Sequence, residues 1–195
     1  MTSGTLDNLM RRLFNLLCSA SLLLLFAVPW LCIALAIRIT SRGPSLYWSD
    51  RVGRDNQLFR MPKFRTMRVG TPALPTHLLT APSSHLTAIG GLLRRSSLDE
   101  IPQLWCILKG DMTFVGPRPA LFSQSDLILL RTQSGVSKLL PGLTGWAQVN
   151  GRDELSIPEK VRFDAEYLRR RSLFFDLKIV WRTLFKVAAQ SGVAH

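Results

Sequence analysis

The feature that most constrains the fold is an apolar segment near the N-terminus, from Leu13 to Ile37. It is almost continuously apolar over roughly 25 residues, which is long enough for a helix to cross a bilayer. Basic residues flank it on both sides, at Arg11 and Arg12 before it and at Arg38 and Arg42 after it. Because basic flanks favour the cytoplasmic side of a membrane, both ends of the segment are drawn to the same face.

Pro29 lies in the interior of this segment, where it removes a helix hydrogen bond and kinks or breaks the helix. Two arrangements are compatible with these residues. In one, a re-entrant helix enters one leaflet, turns at Pro29 and returns; in the other, a plain spanning anchor tolerates the proline. The expected division of the chain is residues 1–42 as the re-entrant membrane helix with its flanks, and residues 43–195 as a cytosolic domain.

The charge balance indicates an anionic partner or surface. Lys and Arg number 25 against 13 Asp and Glu, a formal net charge of +12, and most of the basic residues are arginines spread along the chain. This composition fits nucleic acid, anionic lipid and phosphorylated small molecules about equally. The cysteines, Cys18, Cys32 and Cys106, form no CxxC pair, which argues against a disulfide framework or a zinc site and favours a reducing compartment.

Short strands are predicted in the middle of the chain. Leu46–Trp48 and Leu58–Met61 are rich in residues typical of strands, and the turn residues at 53–56 lie between them. Asn150-Gly151 is a hairpin-type turn signal, predicted to follow a short strand. These segments predict a small antiparallel sheet.

Helices are predicted around that sheet. Ser156 and Glu159 form a capping box that opens a helix, and a last helix over about 172–189 has an apolar face rich in Phe and Trp with basic flanks. Such a face suits the membrane interface, although packing on the core explains it almost as well. The predicted fold class is α/β (α+β): a re-entrant membrane helix, then a small antiparallel sheet surrounded by helices, several of them amphipathic and interfacial.

Two adjacent carboxylates, Asp99 and Glu100, are the candidate reaction centre. Ser96 and Ser97 are good N-cap residues and Pro102 suits a first turn, so the acids are predicted at the start of a helix, where negative charge is favoured. Consecutive helical residues point in different directions, which favours two separate roles over a pair sharing one proton. The alternative is that both acids only stabilise a helix terminus.

Three basic residues are candidates for holding phosphate. Lys63 and Arg65 alternate with Phe64, so an extended chain places both cations on one face; a solvated strand face is the alternative. Arg118 lies between two prolines that restrict the backbone and present its guanidinium, which suits a diphosphate or a base edge. A purely structural turn is the competing interpretation of that motif.

Five ordered blocks of sequence together resemble the bacterial sugar transferase family, the monotopic phosphoglycosyl transferases that begin lipid-linked glycan assembly. The blocks are Lys63-Phe64-Arg65-Thr66-Met67, Arg94-Arg95-Ser96-Ser97-Leu98-Asp99-Glu100-Ile101-Pro102-Gln103, Lys109-Gly110-Asp111-Met112, Gly116-Pro117-Arg118-Pro119 and 141–152. The resemblance covers nearly the whole chain. The sequence departs from the family's usual text at Met61-Pro62 and in Thr132–Lys138, where a charged helix is expected.

The resemblance implies a reaction and roles for the candidate residues. The reaction is transfer of a sugar 1-phosphate from a UDP-sugar to polyprenyl (undecaprenyl) phosphate with release of UMP, by a ping-pong mechanism that requires Mg²⁺. By similarity Asp99 is the nucleophile that forms a covalent phospho-sugar intermediate and Glu100 is the magnesium ligand. Arg94 resembles a phosphate-binding residue and Arg118 a nucleotide contact, while Lys63 and Arg65 are expected to shape the anionic site.

The resemblance also implies a location and partners. We expect the protein at the cytoplasmic face of the bacterial inner membrane, with both ends of the membrane helix cytoplasmic, in contact with lipid and able to form a homodimer. Nucleic acid is not an expected partner. The rival hypothesis is a basic, membrane-anchored binding protein for nucleic acid or anionic lipid, in which Asp99 and Glu100 only cap a helix. No stretch of the sequence indicates which sugar is used.

Overall fold

An apolar helix pair followed by a mixed α/β domain is seen in the computed structural model, which describes residues 3–72, 81–151 and 154–188. Arg152 of the last sequence block lies outside these residues. The helices are α1 (Ser3–Leu25), α2 (Ala27–Thr40), α3 (Gly90–Arg95), α4 (Leu104–Lys109), α5 (Ser125–Gln133), α6 (Trp146–Val149), α7 (Ile157–Arg170) and α8 (Leu173–Ala188). The strands are β1 (Leu46–Val52), β2 (Leu58–Phe64), β3 (Thr113–Val115), β4 (Ala120–Leu121) and β5 (Gly142–Thr144). The 3₁₀ helices are Arg54–Asn56, Pro82–His85, Leu98–Gln103 and Val136–Lys138.

The apolar segment forms two helices that bend by 59° relative to each other between α1 and α2. The helical conformation is interrupted at Phe26, one turn before Pro29. Pro29 has no N–H to donate to the carbonyl of Leu25, and its ring clashes with that carbonyl, so the break falls where proline chemistry requires it. Among the described residues no single helix is both long and apolar enough to cross a membrane, but the bent pair meets both criteria together.

Polar contacts attach α1 to the domain. Arg11 forms an ion pair with Asp176 of α8, and Asn15 Nδ2 donates to Thr113 Oγ1 at 2.8 Å. The guanidinium of Arg12 donates to the carbonyls of the last turn of α4, at 2.8 Å to each of two oxygens. The side chains on the other faces of the pair are exposed and apolar: Leu13, Leu17, Leu24, Leu25, Val28, Leu31, Leu35 and Ile39. The division into residues 1–42 and 43–195 stays a prediction.

The predicted antiparallel sheet is confirmed, with the strand order β2-β1-β4. β1 and β2 are longer than predicted, and β2 includes Lys63, which pairs with Tyr47. Pro62 is tolerated because β2 is an edge strand. A second, parallel pair of strands, β3 and β5, was not predicted; Gly142 permits its close approach, since a Cβ there would lie 2.1 Å from the Gly116 nitrogen.

The C-terminal helices close the core over the β3–β5 pair. The Ser156 capping box is confirmed, with the Ser156 N–H donating to Glu159 Oε2 at 2.9 Å. α8 packs through Phe175 and Ile179 into a buried cluster that also contains Val115, Leu139, Trp146, Val149 and Tyr167. The predicted turn at Asn150-Gly151 is confirmed, and the short strand β5 precedes it. The short helix α6 lies between that strand and the turn, and Asn150 Nδ2 donates to the carbonyl of Trp146 at 2.7 Å.

Candidate active site

The acid pair lies where a sharp turn joins two short helices. α3 ends at Arg95, and the hydroxyl of the next residue, Ser96, donates to the carbonyl of Leu92 at 2.8 Å. Ser97 follows with φ 57°, a left-handed conformation that redirects the chain into the 3₁₀ helix 98–103. The predicted N-cap role of both serines is therefore wrong, since neither side chain caps the helix that follows. The predicted position of Asp99 at a helix start is confirmed, in the first 3₁₀ turn.

Glu100 is held by two cations at one oxygen atom. Lys63 Nζ lies 2.8 Å and Arg118 Nη2 lies 3.0 Å from Glu100 Oε1. β2 and the Pro-Arg-Pro motif therefore converge on the same carboxylate, and its side chain is only 12% exposed. Burial lowers the pKa of Lys63, and the nearby Glu100 charge opposes that change. Charge-assisted bonds of this kind are strong and fix the carboxylate in position.

Asp99 has the opposite environment. It is buried, and within the described ranges no hydrogen bond reaches its carboxylate, although Lys63, Arg94 and Arg118 all act on it electrostatically. Burial raises the pKa of Asp99, while the Lys63 charge opposes the rise and the Glu100 charge adds to it. The two acids are therefore unequal, because Glu100 is engaged and Asp99 keeps its oxygen lone pairs available within a positive field.

The other predicted basic residues differ in how they meet the acids. Arg94 Nε donates to Thr66 Oγ1 at 3.0 Å. Burial lowers the pKa of Arg94, and the negative charge of Asp99 opposes that change, so the two side chains interact electrostatically. Arg65 packs over Gly43, where an added Cβ would lie 3.2 Å from its Nη1. No hydrogen bond or ion pair joins Arg65 to Asp99 or Glu100 in the described part of the chain.

Sequence reasoning missed a buried ion pair that supports the Pro-Arg-Pro motif. Arg131 of α5 donates from Nε and Nη2 to Asp164 Oδ2 of α7, at 3.0 and 2.6 Å. Its Nη1 donates to the carbonyl of Arg118 at 2.8 Å. A single acid in an amphipathic helix carries no pattern that predicts such a partner, because the contact depends on how α5 packs on α7.

Arg51 of β1 was also missed. Its Nε donates to Ser49 Oγ at 2.7 Å and its Nη1 lies 3.4 Å from the carbonyl of Pro119. The sequence could have indicated Arg51, because a strand that continues beyond Trp48 places Tyr47, Ser49 and Arg51 on the same face. The predicted strand was too short to include it.

The carboxylates of Asp99 and Glu100 are the candidate oxygen ligands for a divalent cation. Mg²⁺ takes oxygen ligands and is usually bound by one or two carboxylates together with substrate phosphates. The described residues contain no group of three or more His, Cys, Asp or Glu side chains that could hold a metal. Glu100 offers carboxylate oxygens of the kind that Mg²⁺ binds together with phosphate, and its role as the magnesium ligand stays a prediction.

Fold and site together define a mixed α/β domain, joined to an apolar helix pair, with a basic site around two carboxylates that suits a phosphate-bearing ligand. The model of the family described as "Bacterial sugar transferase" matches residues 6–190. The chain belongs to this family.

Named relatives agree with this assignment. The chain is 38% identical to the UDP-glucose:undecaprenyl-phosphate glucose-1-phosphate transferase of Escherichia coli over 92% of this chain and 40% of the relative. It is 34% identical to the undecaprenyl-phosphate galactose phosphotransferase of Salmonella typhimurium, over 94% of this chain and 41% of the relative. The exopolysaccharide production protein ExoY of Rhizobium meliloti is 34% identical, over 93% of this chain and 87% of the relative. The chain thus spans about two fifths of the first two relatives.

Proposed function

We propose that this protein transfers a sugar 1-phosphate from a UDP-sugar to polyprenyl phosphate and releases UMP. Membership of the family and the substrates named in the relatives support the class of reaction. The observation that carries the proposal is the difference between the two acids: no described residue donates a hydrogen bond to the buried Asp99 carboxylate, whereas Lys63 and Arg118 both bind Glu100. A protein that only capped a helix with these acids has no use for that arrangement.

In the first displacement, Asp99 is the nucleophile. An oxygen of its carboxylate forms a bond to the phosphorus that carries the sugar, and the bond from that phosphorus to the bridging oxygen of the diphosphate breaks. UMP leaves with the bonding electrons, and the sugar phosphate remains as an acyl phosphate ester on Asp99. Burial favours the attack because it removes the water that would otherwise solvate the carboxylate.

The second displacement restores the enzyme. An oxygen of polyprenyl phosphate attacks the same phosphorus, the bond to the Asp99 oxygen breaks, and a polyprenyl diphosphate sugar leaves. Because the nucleotide departs before the lipid reacts, one site serves both substrates in turn, which is a ping-pong sequence.

The cations around the acids stabilise the negative charge on the transferring group. Lys63 and Arg118 fix Glu100 and present positive charge beside it, and Arg94 contributes from α3. Magnesium, bound by Glu100 together with the diphosphate, would supply further charge neutralisation. Arg65 is assigned no contact with the transferring group.

For the membrane, we propose a re-entrant arrangement of α1 and α2 with both ends on the cytoplasmic side. The 59° bend, the arginines at both ends and the exposed apolar faces of both helices support it. In this arrangement the acids would lie near the headgroups, where a polyprenyl phosphate presents its charged end. The proposed location is therefore the cytoplasmic face of the inner membrane.

The reaction is tested by incubating purified protein in detergent or vesicles with Mg²⁺, polyprenyl phosphate and a panel of UDP-sugars, and by measuring UMP. We expect release with at least one sugar, and a sugar-phosphate mass adduct on the peptide containing Asp99 when the acceptor is omitted. Asp99→Asn should abolish both signals. Full activity of that variant would contradict the assignment of the nucleophile.

The membrane arrangement is tested by labelling single cysteines, introduced at Ser3 and Arg42 in a background lacking Cys18, Cys32 and Cys106. An impermeant thiol reagent applied to intact spheroplasts should leave both positions unlabelled and should label both after lysis. Labelling of one position alone in intact spheroplasts would show a spanning helix instead.

A further inference from the structure

The β-sheet places Arg51 on the face from which Lys63 reaches Glu100. In antiparallel pairs, directly opposed residues share a face, and residues two apart on a strand share it as well. Tyr47 is opposite Lys63, and Arg51 follows Tyr47 on the same face of β1. Lys63 reaches Glu100 from this face. Arg51 is also opposite Leu121 in β4, directly after the Pro-Arg-Pro motif, so its guanidinium lies between the sheet and that motif.

No carboxylate of the described residues lies within ion-pair distance of Arg51. Its hydrogen bonds go to two neutral acceptors, Ser49 Oγ at 2.7 Å and the carbonyl of Pro119 at 3.4 Å. Burial and then the Arg118 charge lower the pKa of Arg51 to about 10, and the Tyr47 and Glu100 charges oppose this only in part. A half-buried guanidinium that has lost much of its water and lies near another cation is costly to maintain unless an anion joins them.

We propose that Arg51 binds a phosphate group of the substrate beside Arg118, as a further ligand-binding residue of this site. The inference rests on the proposed function. A planar guanidinium donates two parallel hydrogen bonds to phosphate oxygens, and the Ser49 contact fixes one edge of the Arg51 fork in advance. The phosphate belongs either to the diphosphate of the donor or to the headgroup of the lipid acceptor.

The test compares wild type with Arg51→Gln, and with Arg54→Gln as the matched control. Arg54 lies three residues further on, and its side chain is 57% exposed. Arg51→Gln should weaken UDP binding about tenfold or more, the loss expected for one charge-assisted contact, while Arg54→Gln stays within about twofold. Uridine, measured by competition, should bind Arg51→Gln as it binds wild type, because it has no phosphate.

A second experiment tests binding of the lipid acceptor. It measures the KM for polyprenyl phosphate in the second half-reaction, starting from the isolated sugar-phosphate enzyme. A rise in that KM with unchanged UDP binding would assign the contact to the lipid phosphate. Arg51→Lys keeps the positive charge but cannot donate two parallel hydrogen bonds, so it should lose part of the affinity that Arg51→Gln loses. This variant replaces Arg51→Gln in the experiment if Arg51→Gln does not fold.

Two results would overturn the inference. One is wild-type UDP binding and wild-type KM for the acceptor in both Arg51 variants. The other is a parallel loss of uridine and UDP binding, which would mean that Arg51 only supports the backbone at Pro119. If wild type itself neither binds UDP nor releases UMP from any UDP-sugar, the proposed function fails instead.

Discussion

Among single residues, the neighbouring acids Asp99 and Glu100 are predicted to have opposite effects on the stability of the fold. The pKa of Asp99 is raised in the folded protein, so folding favours its protonated form; the stability it contributes exists at low pH and is lost as pH rises through the folded pKa. Asp99→Asn should therefore raise the free energy of unfolding at pH 7, by about 1 kcal/mol, while abolishing UMP release. Thermal melts in detergent measure the change.

Glu100→Gln is the matched control for that prediction. It removes the partner of both Lys63 and Arg118, and leaves two largely buried cations without their shared carboxylate. We expect a lower melting temperature, from a loss of about 2 kcal/mol. Equal destabilisation by both substitutions would show that Asp99 also has a stabilising partner.

The pH dependence of the first half-reaction should report the ionisation of Asp99. Only the carboxylate attacks, so single-turnover UMP release should fall as pH drops through a pKa above that of an ordinary aspartic acid. The Arg94 charge lowers that pKa, so Arg94→Gln should move the acidic limb to higher pH. Arg95 is exposed on the same helix, and Arg95→Gln should leave the limb in place. An unmoved limb in both variants would contradict the placement of Arg94 beside Asp99.

At the scale of elements, the contact between α5 and α7 supports the motif that carries Arg118. Burial raises the pKa of Asp164 despite the Arg131 charge beside it, which means that desolvation outweighs the attraction between them. Breaking the pair still leaves a buried arginine without its carboxylate. Asp164→Asn should therefore lower the free energy of unfolding by about 3 kcal/mol. The shift of the melting temperature measures it.

A double substitution separates stability from support of the motif. Arg131→Met with Asp164→Leu replaces the pair by apolar groups, and should recover most of the stability lost in Asp164→Asn. It also removes the donor to the Arg118 carbonyl, so the KM for the UDP-sugar should rise although the protein is folded. Recovery of both stability and wild-type KM would show that Arg131 does not position Arg118.

At the scale of the whole molecule, the sequence predicted features that depend on local chemistry. The break near Pro29, the capping box at Ser156 and the acids at a helix start all follow from neighbouring residues. The family resemblance assigned Lys63, Glu100 and Arg118 to one site, but it did not predict that both cations bind Glu100. What the sequence did not predict, including the β3–β5 pair and the contacts of Arg131 with α7, depends on segments that meet only after the chain has folded.

The exposed apolar side chains of α8 predict that this helix contacts lipid. One side of α8 is buried through Phe175 and Ile179, yet Phe174, Leu177, Trp181, Leu184 and Phe185 remain exposed. Helices α1 and α2 also expose apolar side chains, and a surface of this size next to basic residues suits the membrane interface. A nitroxide on a cysteine at Leu184 should therefore be more accessible to oxygen than to a polar nickel chelate in vesicles.

Leu58 is the matched control, because it is 63% exposed against 60% for Leu184 and belongs to strand β2 instead of an apolar helix. A nitroxide there should show the reverse order of accessibility. Lipid contact at α8 would be contradicted if both positions met the nickel chelate equally. Exposure alone does not separate the two leucines, so any difference between them comes from the solvent that each side chain faces: hydrocarbon at α8 and water at the sheet.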